Sequence, residues 1–314
     1  MNWLSFGGAL PAHGTEHRNA GVHLSITIAM IIFHDPHCVE YSNSGHPERP
    51  ERITRTVPVL KDRDRNWEWR EPQPAKERNL LRAHSRDHVE QIRTAVHDFD
   101  MDTPAYPRIY DHAILSAGAA IETALAGAHG QHAFSLMRPP GHHATRDRAM
   151  GFCYFSNVAI AALAALDSGV ERVAIWDFDA HHGNGTEDVV AHNPRLSFAS
   201  IHQFPAYPGT GAESFANIDN YPVAPGTPRA EHVNAIERAL QKLLLAKPEL
   251  LLVSAGFDAY SGDPLTEMTL ETEDFATLGK WLAEIDVPAA AILEGGYSDD
   301  LPELVDAFLT AWSG

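Results

Sequence analysis

The sequence predicts an α/β fold in which helices cover both faces of a mostly parallel sheet. Two observations carry that prediction. Short apolar runs recur at Phe134–Met137, Val173–Trp176, Leu250–Ser254 and Ala289–Leu293 without strand-like polar alternation. Strands covered on both faces require such runs. Helical stretches alternate with them, and repeated βα alternation implies a parallel sheet. A third observation adds function. The four runs lead into RPPGHH, DFDAHHGNG, AGFD and EGGY, which are rich in glycine and titratable side chains. Such groups have no place in a core, and open α/β sheets bind ligands outside the carboxyl ends of their strands.

Residues 1–29 are rich in Gly, His and polar residues without a regular period. They read as a poorly ordered extension before a compact unit over 30–314; a longer first strand over Ser25–Phe33 is the alternative. Met30–Phe33 reads as a strand, and prolines 36, 47 and 50 delay a helix until about Glu51. Ser85–Val96 and Tyr110–Ala126 read as helices, the second Ala-rich with apolar positions 114, 117, 121 and 125. A polar, Pro-bearing loop, Asp98–Pro107, separates them. Phe155–Leu166 is apolar all round, as a buried helix is. Further helices are expected over 186–192, 230–245, 271–285 and 301–312, with a strand at 196–201. No repeat, low-complexity tract or linker divides the chain, which favours one domain.

The 314 residues carry a net charge of −18, which argues against nucleic acid as a partner, since phosphate binding needs a basic surface. The two cysteines, Cys38 and Cys153, form no CxxC pair, which points to a reducing, cytoplasmic setting. The apolar stretch Leu24–Phe33 is too short to span a bilayer, and no signal-peptide pattern precedes it. The oligomeric state stays open.

Asp179 and His181, two positions apart at a strand end, can point the same way because side chains alternate with period two. Asp258, at the end of another strand, is a candidate third ligand. Three protein ligands leave zinc an open position for water or substrate, the mark of a catalytic site. Adjacent histidines alone are weak evidence: among 19 histidines about one pair is expected by chance, and two occur. The convergence of four strand ends is stronger. Tyr297 in isolation reads better as a turn tyrosine after two glycines, and Phe152 and Tyr207 read equally as core aromatics.

RPPGHHA, DFDAHHGNGT, SAGFDA, GDPL and EGGY, with HPERPER upstream, resemble the signature set of the histone deacetylase and acetylpolyamine amidohydrolase superfamily, in order from about residue 30 to the end. HHGNG with SAGFDA is more similar to its class II branch and bacterial relatives. The resemblance implies the arginase–deacetylase fold, a single eight-stranded sheet with helices on both faces. It implies zinc on Asp179, His181 and Asp258, and proton handling by His142 and His143. Asp177 would orient His142, and Tyr297 would polarise the substrate carbonyl. Asp102 matches the rim carboxylate that holds the substrate backbone, and Gly151, Phe152 and Tyr207 match the walls of an acyl-lysine channel. The main-chain carbonyls of Asp177, Asp179, His181 and Ile201, with the Ser200 hydroxyl, match a monovalent-cation site for K+. Two departures stand out. Asn184 replaces the class I aspartate, so the partner of His143 is a neutral amide and its protonated form is less stabilised. Tyr207 replaces the more usual Phe.

The implied activity is zinc-dependent removal of acetyl or other acyl groups from lysine in proteins or peptides. His143 is the favoured general base and acid, with His142 mainly electrostatic; the opposite assignment stays open. The nearest rival is deacetylation of acetylpolyamines or other small amides, against which Leu265 stands where a polyamine-specific member carries Glu. An acetyl-lysine reader without catalysis and a two-metal, arginase-like hydrolase are more distant readings.

Overall fold

The computed structural model describes residues 30–63 and 65–314, so the proposed extension at 1–29 lies outside the described residues. The strands, in chain order, are β1 Ile31–Phe33, β2 Glu68–Arg70, β3 Ala133–Ser135, β4 Val173–Asp177, β5 Leu196–Gln203, β6 Ile218–Val223, β7 Leu250–Ala255 and β8 Ala289–Leu293. They form one eight-stranded sheet in the order β2-β1-β3-β8-β7-β4-β5-β6. Every pairing in it is parallel, so the expected mostly parallel sheet is wholly so among the described residues.

The topology explains the site. The chain leaves β3, skips two places to lay down β4, and moves outward to β5 and β6. It then returns to fill the gap with β7 and β8. Four strands distant in sequence thereby end side by side, and their carboxyl ends open into one crevice. Every residue of β3, β4, β7 and β8 is buried, which is why these strands are so apolar.

The helices are α1 Glu51–Thr54, α2 Thr56–Asp62, α3 Glu77–Ala83, α4 Arg86–Arg93, α5 Ile109–Ala128, α6 Asn157–Asp167, α7 Asn184–Val190, α8 Arg229–Leu245, α9 Thr272–Glu284 and α10 Leu301–Ser313. Seven coincide with the expected helices to within a few residues. Their ends follow local chemistry. The Ser85 hydroxyl accepts the His88 N–H at 3.3 Å before α4, and Glu271 with Asp274 forms a capping box that starts α9. Side chains from β1, β3–β8 and the covering helices build the main core, which includes Trp176, Phe178, Phe257 and Trp312. A second cluster, with Leu80, Val89, Ile92, Ala117 and Phe155, seats α3 and α4 against α5 and α6.

Candidate active site

Asp177 closes β4, and the chain beyond it turns Asp179 and His181 towards the end of β7, where Asp258 follows. One ligand atom from each of Asp179, His181 and Asp258 lies within 4.8 Å of the other two. His181 Nδ1 is 2.8 Å from Asp258 Oδ2 and 3.3 Å from Asp179 Oδ1. The second oxygens are held by main-chain donors: Gly295 N–H to Asp179 Oδ2 at 2.7 Å, and Ala180 N–H to Asp258 Oδ1 at 2.8 Å. Both carboxylates are fully buried. Burial alone would favour the neutral imidazole of His181, but Asp258 and Asp179 outweigh it and raise its pKa well above the ordinary value. His181 Nδ1 thus faces two buried carboxylates, a setting that favours positive charge. Two carboxylates, one imidazole and fixed outer oxygens fit a divalent metal. They fit it tightly, because a Cβ on Gly295 would lie 2.3 Å from Asp258 Oδ2 and 2.5 Å from Asp179 Oδ2.

The segment after β3 supplies the paired imidazoles, whose rings lie 4.1 Å apart. His142 Nδ1 is 3.1 Å from Asp177 Oδ2, and its Nε2 is 3.7 Å from Asp179 Oδ1. Burial opposes its charge, but Asp179 and then Asp177 raise its pKa to about 10. For His143 the balance is opposite. Burial, then the positive His142 and His181, push its pKa well below the ordinary value. Its Nδ1 lies 2.8 Å from Asn184 Oδ1, an acceptor, so Nδ1 carries the hydrogen and Nε2 keeps its lone pair. One imidazole is held cationic and its neighbour neutral, the separation that acid–base chemistry on adjacent groups needs.

His143, His181 and Tyr297 line one cavity of about 250 Å³ together with Asp102, Gly151, Phe152, Tyr207, Pro47 and Leu265. Phe152 meets the Tyr297 ring edge-on at 5.6 Å, and Tyr207 meets His143 edge-on at 5.2 Å. Gly151 has φ +56°, and a Cβ there would lie 2.5 Å from His143 Cδ2 and 3.0 Å from Tyr207 Cε1, so only glycine leaves the channel open. Asp102 is exposed at the rim, where its main-chain carbonyl is 3.1 Å from His46 Nε2. Ser200 and Ile201, expected at a monovalent-cation site, are buried within β5 beside the end of β4, and the Ser200 hydroxyl accepts the Gly183 N–H at 3.4 Å. Ser200 pairs with Asp177 in the sheet, and its hydroxyl lies 3.0 Å from His202 Nδ1.

Three further groups serve the site. Glu294, fully buried, accepts the N–H groups of Gly141 at 2.7 Å and His142 at 3.1 Å. Burial raises its pKa to about 7. Arg52 donates from Nε to the Gly296 carbonyl at 2.7 Å and stacks over the Tyr297 ring at 4.9 Å. Asp263 accepts the Tyr297 N–H at 2.7 Å. EGGY, HPERPER and GDPL contain these residues, but their motifs alone give them no role.

Residues 46–312 match the model of the histone deacetylase domain family. A probable deacetylase of Methanothermobacter thermautotrophicus is 37% identical over 286 residues, 86% of each chain. A histone deacetylase-like amidohydrolase of Pseudomonas aeruginosa is 36% identical over 282 residues, 82% of this chain and 73% of that protein. Among solved structures, an acetylpolyamine aminohydrolase from Burkholderia pseudomallei superposes with a TM-score of 0.84 at 26% identity, covering 91% of this chain and 99% of that one.

Proposed function

The chain belongs to the histone deacetylase family and its fold is the arginase–deacetylase fold, and from that premise we propose a zinc-dependent amidohydrolase that removes acyl groups from lysine side chains of proteins or peptides. One observation carries the reading: a single channel ends on a neutral imidazole, a phenol and a ligand of the Asp179–His181–Asp258 cluster.

A divalent ion held by Asp179, His181 and Asp258 would supply Lewis acidity and make an adjacent water more acidic. The protein's own groups do the rest. Neutral His143 takes a proton from the attacking water at Nε2 and returns it to the departing amine, so an amine and a carboxylic acid leave. His142, held cationic by Asp177 and Asp179, offsets the negative charge that gathers on the acyl carbon's oxygen. Tyr297 donates its O–H to that oxygen, Phe152 and Tyr207 flank the alkyl stem, and Asp102 meets the substrate backbone at the rim. A K+ ion at the carbonyls of Asp177, Asp179, His181 and Ile201 rests on the family resemblance alone. A cytoplasmic setting is supported by both cysteines being free. No helix among the described residues is long and apolar enough to cross a membrane.

The likeness to an acetylpolyamine aminohydrolase supports a second reading, cleavage of acetylpolyamines. Leu265 on the channel wall weighs against it, since an apolar side chain offers nothing to a second ammonium. The test is turnover of an acetyl-lysine peptide beside N-acetylspermidine. The proposal expects the higher kcat/KM on the peptide, and a fall of about 10²- to 10³-fold in Tyr297→Phe. A higher value on the polyamine favours the second reading, and undiminished turnover by Tyr297→Phe removes the phenol from the mechanism.

A further inference from the structure

Tyr297 follows two glycines, Gly295 and Gly296, and Gly296 has φ +113°, a conformation that glycine adopts without strain. The ring lies between Arg52 and Phe152, and Arg52 Nε also holds the Gly296 carbonyl at 2.7 Å, which leaves the Tyr297 N–H as the next main-chain group to be placed. Its N–H goes to one acceptor, Asp263 Oδ2, at 2.7 Å. The other oxygen of that carboxylate accepts the Leu265 N–H at 2.9 Å. Asp263 is buried, 6% exposed, in the segment that follows Asp258. That segment is tied down independently: Asp263 N–H reaches the Tyr260 carbonyl at 3.0 Å, and the Thr266 hydroxyl reaches the Asp258 carbonyl at 2.5 Å. One rigidly mounted carboxylate therefore joins the residue at the channel's mouth, Leu265, to the phenol at its floor.

We propose that Asp263 is a positioning residue: its two oxygens set Tyr297 against the acyl oxygen and couple that placement to Leu265, so that the rim and the phenol act as one unit. The inference rests on the amidohydrolase reading above. Hydrogen bonds to a buried carboxylate are strong enough to bias the placement of Tyr297 by about 10- to 100-fold. Asn at this position keeps the size but turns one acceptor into a donor facing an N–H, so the clamp is broken on one side.

The experiment is a double-mutant cycle on the metal-loaded full chain with Asp263→Asn and Tyr297→Phe. It is read as kcat and KM on an acetyl-lysine peptide and on N-acetylspermidine, with metal content and melting temperature followed alongside. Asp263→Asn is expected to lower kcat about 10- to 100-fold in the parent chain with the metal retained. In the Tyr297→Phe background it should cost less than about threefold, because the hydroxyl it positions is gone. Equal losses in the two backgrounds, or no loss in the parent, overturn the proposal. Asp263→Ser, which keeps one acceptor with less bulk, is run in parallel. If neither variant folds, the carboxylate belongs to the scaffold and the proposal also fails. A parent chain inert on both substrates contradicts the amidohydrolase reading and this one with it, whereas an active parent with additive losses contradicts this one alone.

Discussion

At the scale of single residues, the two histidines are chemically unlike because their partners differ. His142 faces the carboxylates of Asp177 and Asp179, whereas His143 faces the amide of Asn184. Asn184→Asp would place a negative charge beside His143 Nδ1 and stabilise its protonated form. The pKa, now far below the ordinary value, would rise, and the base form would be lost at a higher pH. The acid limb of kcat/KM against pH is therefore expected to move up by about one unit or more. An unmoved limb would exclude His143 as the titrating base. Most of these residues were legible in the sequence, because metal ligands, imidazoles and Tyr297 sit in short motifs at strand ends. Glu294, Arg52 and Asp263 were not. Each acts on main-chain groups of a segment distant from its own, such as Glu294 on Gly141 and His142. Nothing in a motif's residue types announces such a contact.

At the scale of elements, the four central strands were legible because burial on both faces leaves only apolar residues. The edges were not. β2 is three residues, Glu68-Trp69-Arg70, none of them buried, and β6 alternates buried with half-exposed positions and contains Pro222. An edge strand with one wet side and a proline reads as loop. The short α3 was missed as well, since seven residues hold too few turns to show a period. The ends of the strands matter more to function than their middles. The turn after β8 presses Gly295 against both ligand carboxylates, so Gly295→Ala is expected to weaken bound divalent metal at least about tenfold while the fold survives. Metal retention through dialysis, followed with circular dichroism, checks this; undiminished retention would mean the turn has room to shift.

At the scale of the whole molecule, eight strands bring together segments that no local pattern links, and the same packing buries neutral histidines far from the site. His84 donates to the Thr145 carbonyl at 2.9 Å and accepts the Ser156 N–H at 2.9 Å, which fixes the neutral ring. Burial lowers its pKa to about 3, and burial lowers that of His232 to about 4. At these two rings, between about pH 4 and 6.5, the unfolded chain binds protons that the folded chain refuses, so their contribution to stability rises with pH through that window and is lost on acidification, whereas Glu294, with its raised pKa, works in the opposite sense. Each histidine contributes a slope of about 1.4 kcal/mol per pH unit. Urea midpoints should fall from pH 7.5 to pH 5.0, and less steeply in His232→Leu, whose parent ring nitrogens are unpaired among the described residues. An unchanged slope would place the acid sensitivity elsewhere. The proposed chemistry depends on one ion joining the ends of β4 and β7, and metal stoichiometry tests it most directly. Asp179, His181 and Asp258 predict one divalent ion per purified chain, lost in Asp258→Asn together with hydrolysis of the acetyl-lysine peptide. Two ions per chain, or hydrolysis that survives in Asp258→Asn, would contradict it.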